Sequence, residues 1–237
     1  MISYQFFYTF YEINIDIKGK KEYHLYDGDG MFFERLKDNF NNTEPIFTDE
    51  IIALFSDYSR AQVFRFIKTA LRLGQIVRFD QGIYFIPQKT FFGTSTLSVD
   101  SIIEKRYLMS NDSVYGVYSG IKLLNAFFVT TQTAAVIEIT TNNETSKKRE
   151  ITISGRRFIL RRSRFRIDKG NAPIYMVLEL FNNLTTINEL DNLSYNKLVS
   201  FIRNNNISKR SLLDTSLRFP SKVTKNLIRS GVLNEIT

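Results

Sequence analysis

The 237-residue sequence has no cysteine and a single histidine, His24. Thiolate, Cys/His and multi-histidine metal sites are therefore excluded, and so is a cysteine nucleophile. No stretch approaches the roughly 18 consecutive apolar residues that a membrane span needs. The first residues are aromatic but lack the basic region and small-residue cleavage site of a signal peptide. These absences predict a soluble, cytoplasmic chain with no membrane partner. Catalytic constellations are missing as well. The run "KGKK" at 18–21 has neither the upstream glycine nor the hydroxyl of a phosphate-binding loop. No glycine-serine pair followed by spaced aspartates marks a nucleotidyltransferase, and a Ser-His-Asp arrangement would depend on His24 alone. Asp27 and Asp29 in "DGDG" lack the later ligands and closing glutamate of a calcium loop, which leaves a turn before a helix. The expectation is a protein that is not an enzyme and uses no cofactor.

What is present is apolar bulk and unevenly placed charge. An apolar content of 43% supports one large or two modest domains. The formal charge is +8, distributed as −5 over 1–50, +4 over 51–90, −2 over 91–146, +8 over 147–170 and +3 over the remainder. Two separated basic blocks point to a polyanionic partner, against the plainer reading of a solvated basic surface.

Periodicity divides the chain into an N-terminal extension (1–30), a segment of helices and a hairpin (31–90) and a larger C-terminal domain (91–237). In the extension, Ile13, Ile15 and Ile17 alternate before a Lys18-Gly19-Lys20 turn, which predicts a small hairpin. "MFFERLKDNF" and "FTDEIIALF" read as two short helices, the second with Thr48 as N-cap and Asp49 and Glu50 in its first turn. A third helix opens with Ser59 and Gln62 in a capping box and closes at Gly74. "QIVRF" and "GIYFI" then form strands around Asp80-Gln81-Gly82, and Pro87 ends the unit. Three helices and a two-stranded ribbon predict a winged helix-turn-helix. The fold class is α+β, with that unit followed by a mixed α/β domain of a small sheet and helices.

On a helical wheel the third helix gathers Val63, Phe64, Phe66, Ile67, Ala70 and Leu71 on one face. Gln62, Arg65, Lys68, Thr69 and Arg72 share the other, which has cations and amides but no acid. Arg60 falls on the apolar side, but its long side chain can swing outward. Arg and Gln can pair with base edges, and Lys, Thr and a helix amino terminus can hold phosphates. Ser59, Arg60, Gln62, Arg65, Lys68, Thr69, Arg72 and, in the hairpin, Arg78 are the candidate DNA contacts. Winged helices also serve as protein-binding modules, and that alternative stands beside DNA.

In the second block, "SGIKLLNAF" reads as a helix entered at Ser119 and "TAAVIEIT" as a buried strand. "REITISGRRFILRRSRFRI" reads as a hairpin turning at Ser154-Gly155. If its second strand continues, Arg162, Arg164 and Arg166 share one face and Phe165 and Ile167 the other. With Lys147, Lys148, Arg149, Arg156, Arg157 and Arg161 they make a basic surface. Nucleic-acid backbone, an acidic protein partner and local ion pairing all fit it. From Ala172 onward the pattern is helical, with a proline in a first turn and a glycine stop near the end, and carries no evident chemistry.

The stretch "SRAQVFRFIKTALRLGQIVRFDQGIYFIP", followed by "SVYGVYSGIKLLNAFFVTTQTAAVIEITTN" and "ITISGRRFILRRSRFRI", resembles the AbiEi antitoxins of type IV toxin-antitoxin systems. The likeness spans about residues 31–185. Its most specific part is the order Tyr115-Gly116, Gly120, Leu124-Asn125 and Thr130-Thr131-Gln132. The resemblance implies a repressor-antitoxin whose winged helix binds inverted repeats in double-stranded promoter DNA of its own operon. It also implies that the C-terminal domain counters a nucleotidyltransferase toxin without a stable complex, in phage defence by abortive infection. Carried over, Ser59, Arg60, Gln62, Arg65, Thr69 and Arg72 face DNA. The chain departs from the pattern at the hairpin tip, where Asp80-Gln81-Gly82 replaces a basic residue before the glycine; Arg78 and Lys89 flank it. A stand-alone transcriptional regulator with a ligand- or partner-sensing second domain is the alternative.

Overall fold

The structure is a computed structural model that describes residues 27–91 and 93–236. The hairpin expected around Ile13 to Ile17 lies outside these residues. The chain separates into two compact units, one ending at Leu97 and one beginning at Ser98, in a mixed α+β architecture.

The first unit opens with α1 (Asp27–Asn39), which takes in the "DGDG" sequence. The expected turn is therefore part of the helix. Phe32 and Leu36, four residues apart, point from α1 into the core. There follow β1 (Ile46–Phe47), α2 (Thr48–Leu54) and α3 (Arg60–Arg72). The hairpin of β2 (Val77–Asp80) and β3 (Ile83–Phe85) completes an antiparallel sheet of order β1-β3-β2. The short β1, which local sequence pattern does not reveal, is held by β3 from more than thirty residues away. A small ribbon, β4 (Lys89–Thr90) and β5 (Gly93–Thr94), extends this unit beyond Pro87. Phe32, Ile51, Phe55, Val63, Phe66, Ile67 and Ala70 form the core, with ring centroids of Phe32 and Phe55 4.6 Å apart. Each of the larger side chains among them, from Val63 to the phenylalanines, contributes roughly 1.5–3 kcal/mol.

The second unit begins with α4 (Val99–Ile103), a single wide turn at Glu104–Leu108 and the ribbon of β6 (Met109–Ser110) and β7 (Ser113–Val114). β8 (Gly116–Ser119), α5 (Gly120–Ala126), β9 (Ile137–Thr141), β10 (Arg149–Ile153) and β11 (Arg156–Arg162) follow. The sheet order is β10-β11-β9-β8, parallel only between β11 and β9. Ser154 and Gly155 both have positive φ, as a tight two-residue hairpin requires. Register places Ile137, Ile139, Phe158 and Leu160 on one face and Val117 and Thr140 on the other. Both faces are buried. Helices α6 (Ala172–Asn183), α7 (Asn192–Asn204), α8 (Lys209–Ser216) and α9 (Ser221–Arg229) pack around Tyr175, Leu178, Phe181, Leu198 and Leu227. Among the described residues no helix is long and apolar enough to cross a membrane.

Candidate nucleic-acid interface

Local chemistry sets α3 firmly. The Ser59 hydroxyl accepts from the Gln62 amide at 3.3 Å, and the Gln62 side-chain oxygen accepts from the Ser59 amide at 3.1 Å. At the other end the Gln75 amide donates to the Ala70 carbonyl and the Gly74 amide to the Leu71 carbonyl, with Gly74 left-handed at φ 69°. That is a Schellman stop. Ser59 and the oxygen of Gln62, both expected to contact DNA, are therefore occupied in the cap.

Val63, Phe66, Ile67 and Ala70 are buried, whereas Arg60, Arg65, Lys68 and Arg72 are exposed and Thr69 is half-buried. Phe64 departs from its expected place in the core. It is 43% exposed, because it sits at the edge of the apolar arc, with the Arg60 guanidinium 5.8 Å from its ring. Arg65 leans toward the edge of the core, 5.8 Å from the ring of Phe66. Arg60, Arg65 and Lys68 form no ion pair among the described residues. The nearby acid, Asp57 in the α2–α3 turn, is held by Arg35 of α1 at 3.1 Å. Among the described residues, Arg60, Arg65 and Lys68 thus meet no neutralising carboxylate.

The hairpin tip is tied inward. Thr48 is the first residue of α2 and not its cap: its amide and hydroxyl both donate to the Gly82 carbonyl, at 3.0 and 3.3 Å. The cap's work falls to Glu50, which accepts from the Phe47 amide at 2.8 Å. Arg78 donates from Nε to the Asp80 carbonyl across a bulge, at 3.3 Å. Asp80 in turn accepts from the Gln81 amide.

The basic surface of the second unit is partly self-neutralised. Arg149 pairs with Glu144 at 2.7 Å, Arg156 with Asp100 at 2.9 Å, Arg157 with Glu150 at 2.6 Å and Arg161 with Glu138 at 2.8 Å. The Arg156 guanidinium holds the Asp100 carboxyl below its ordinary range, against the effect of burial. Lys147, Lys148, Arg162, Arg164 and Arg166 are exposed and without ion pairs among the described residues. The expected row of Arg162, Arg164 and Arg166 along one strand does not form. β11 ends at Arg162 because Asn142 captures the chain beyond it: its carboxamide accepts from the Ile167 amide and donates to the Ile167 carbonyl, at 2.9 and 2.7 Å. Arg164 is turned instead onto the ring of Phe219, 5.2 Å away.

The Tyr115 to Gln132 order proves to be scaffolding. A Cβ on Gly116 would lie 2.0 Å from the Tyr107 carbonyl oxygen. Gly120 has φ +58° with the Glu138 carboxyl 3.1 Å from where a Cβ would be. The Tyr115 hydroxyl donates to the Lys105 carbonyl, and Asn125 donates to the Gln132 carbonyl at 2.9 Å. Among the described residues no three potential metal ligands gather.

The helical pattern expected near the end of the chain includes α9, whose cations were not among the expected site residues. Its exposed face carries Lys222, Lys225 and Arg229, and the helix has no acid, a signal visible in "SKVTKNLIR". No protein-family model matches the chain, and no curated protein matches it.

Proposed function

We propose that α1 to β3 form a winged helix-turn-helix that lays α3 in the major groove of double-stranded promoter DNA, and that the chain is an autorepressor. The observation that carries this reading is the exposed surface of α3: Arg60, Arg65 and Lys68 without an ion pair among the described residues, no acid in the helix, and a nearby aspartate already paired with Arg35. A helix of this width fits the major groove, and guanidinium groups pair with guanine edges. Lys68 and the α3 amino terminus suit phosphates. The tied hairpin tip leaves most of the contact to the helix.

Together with the AbiEi-like order of residues, this supports an antitoxin of a type IV system that counters a nucleotidyltransferase toxin without a stable complex. The unpaired cations Lys147, Lys148, Arg162 and Arg166 are the part of the second basic block open to a polyanion. A gel-shift titration on the chain's own upstream region tests the DNA reading. Lys68→Glu with Arg65→Glu should abolish retardation while the melting temperature stays near that of the unaltered protein. Unaltered retardation would remove α3 from the interface. Co-expression with the product of the adjacent gene tests the antitoxin reading: growth arrest by that product, relieved by this chain, is the expected outcome.

A further inference from the structure

We propose a second recognition surface, on α9 and the α8–α9 turn, that takes an acidic amphipathic protein segment. It does not rest on the DNA-binding reading, since every residue concerned lies in the second unit. An open groove of about 620 Å³ runs between Leu217, Phe219, Thr224, Lys225, Ile228 and Arg229. Its middle is apolar. Leu217 is 76% exposed and Ile228 59%, and the two lie together on this groove. Two of its lining residues are cations, Lys225 and Arg229 of α9, and Arg218, which lies in sequence between the lining residues Leu217 and Phe219, stacks on Phe165 at 5.0 Å. Arg164, stacked on Phe219, adds a fourth charge from the loop after β11. None of these four cations has an ion pair among the described residues. Between residues 205 and 234 the only acid is Asp214, which is engaged by Arg210 at 3.6 Å.

An apolar centre inside a charged rim is the anatomy of a protein-binding patch. Charge complementarity makes its partner acidic. The aliphatic centre then calls for one or two Leu, Ile or Phe side chains at a spacing that fills the groove. A nucleic-acid backbone fits less well, because a phosphate track would leave Leu217 and Ile228 against charge and water.

The test uses the full chain and a short fluorescein-labelled peptide in which Asp and Glu alternate with Leu and Phe, followed by fluorescence polarisation. The unaltered protein should bind it saturably and more weakly as salt rises. Ile228→Glu, and separately Lys225→Glu with Arg229→Glu, should each weaken binding about tenfold or more, with melting temperatures unchanged. Ile228→Ser serves as a milder variant. A peptide with its Leu and Phe replaced by Ser should lose binding, and Lys68→Glu in α3 should bind the original peptide as the unaltered protein does. No binding of the peptide, or equal binding by Ile228→Glu, overturns the proposal. So does an oligonucleotide that binds through Lys225 and Arg229 while the peptide does not, which would make the surface a nucleic-acid site.

Discussion

The Ser119 hydroxyl donates a 2.6 Å hydrogen bond to the Glu179 carboxylate, joining the start of α5 to α6 inside the second unit. Glu179 is 4% exposed. Asn183 donates from its amide nitrogen to the same carboxylate oxygen and to the Ser119 hydroxyl, both at 3.2 Å. Burial pushes the Glu179 carboxyl above its ordinary range, and the bonds from Ser119 and Asn183 pull it back.

A carboxyl raised in the folded state holds its proton where the unfolded chain has lost it. Its share of stability is therefore full below the ordinary carboxylate range and is lost as pH rises through the folded value. Glu179→Gln keeps an oxygen for Ser119 and removes the charge. It should stabilise the protein at neutral pH by on the order of 1 kcal/mol. The gain should shrink in urea melts toward about pH 4. Equal gains at both pH values would show that the carboxyl is not raised.

Gly116 admits no side chain. Because a Cβ there would meet a main-chain oxygen, Gly116→Ala forces β8 away from the Glu104–Leu108 turn. The expected cost is about 3 kcal/mol. Gly120→Ala meets the movable Glu138 side chain but also a left-handed backbone, so roughly 1–2 kcal/mol is expected. Chemical denaturation of the two variants should rank them in that order.

These glycines show where the sequence could be read and where it could not. The order Tyr-Gly to Thr-Thr-Gln stood out in the sequence, but its work is steric and becomes evident only when Tyr107 lies against Gly116. The cap Ser59/Gln62 and the stop Gly74 were legible because each depends on residues within five positions. The arginine row was not, since Asn142 redirects the chain from twenty-five residues away. β1 escaped for a similar reason: two residues make no pattern, and only β3 defines them. Phe64 was misplaced because an ideal wheel cannot say where a wide apolar arc stops being covered. Arg65, Lys68 and Arg72, by contrast, were placed correctly on the exposed side by spacing alone, whereas Arg60 reaches it from the apolar side.

On α3, Arg65→Ala should cost roughly 1–3 kcal/mol of affinity for the operator and relax preference at one base pair. Lys68→Ala should weaken all duplexes about equally and reduce the slope of log K against log salt by about 0.9. Gel-shift titrations on operator and unrelated duplexes separate the two roles. Parallel losses on every duplex for Arg65→Ala would assign it to phosphate instead.

Gly82→Ala places a methyl 3.1 Å from the Thr48 hydroxyl at a left-handed position. It should loosen the bond that holds the hairpin tip to α2, at a cost of roughly 1–2 kcal/mol. Thr48→Val removes the hydroxyl but keeps the main-chain bond to the Gly82 carbonyl, so a smaller loss of about 1 kcal/mol is expected. If the tip contributes little to DNA contact, both variants should keep operator affinity at temperatures well below their melting points.

The paired and unpaired arginines of the second unit should behave as different classes. Arg149 holds Glu144, whose side chain is only 3% exposed, so Arg149→Ala leaves a carboxylate with one partner fewer away from water. Stability should fall by about 1 kcal/mol or more, with polyanion binding unchanged. Among the described residues Arg162 and Arg166 hold no carboxylate, so Arg162→Ala with Arg166→Ala should leave the melting temperature near its original value. Heparin-column retention measures the other side of the comparison. The double variant should elute at lower salt than the unaltered protein, whereas Arg149→Ala should elute with it. A reversed pattern would mean that the paired Arg149, and not Arg162 and Arg166, meets the polyanion.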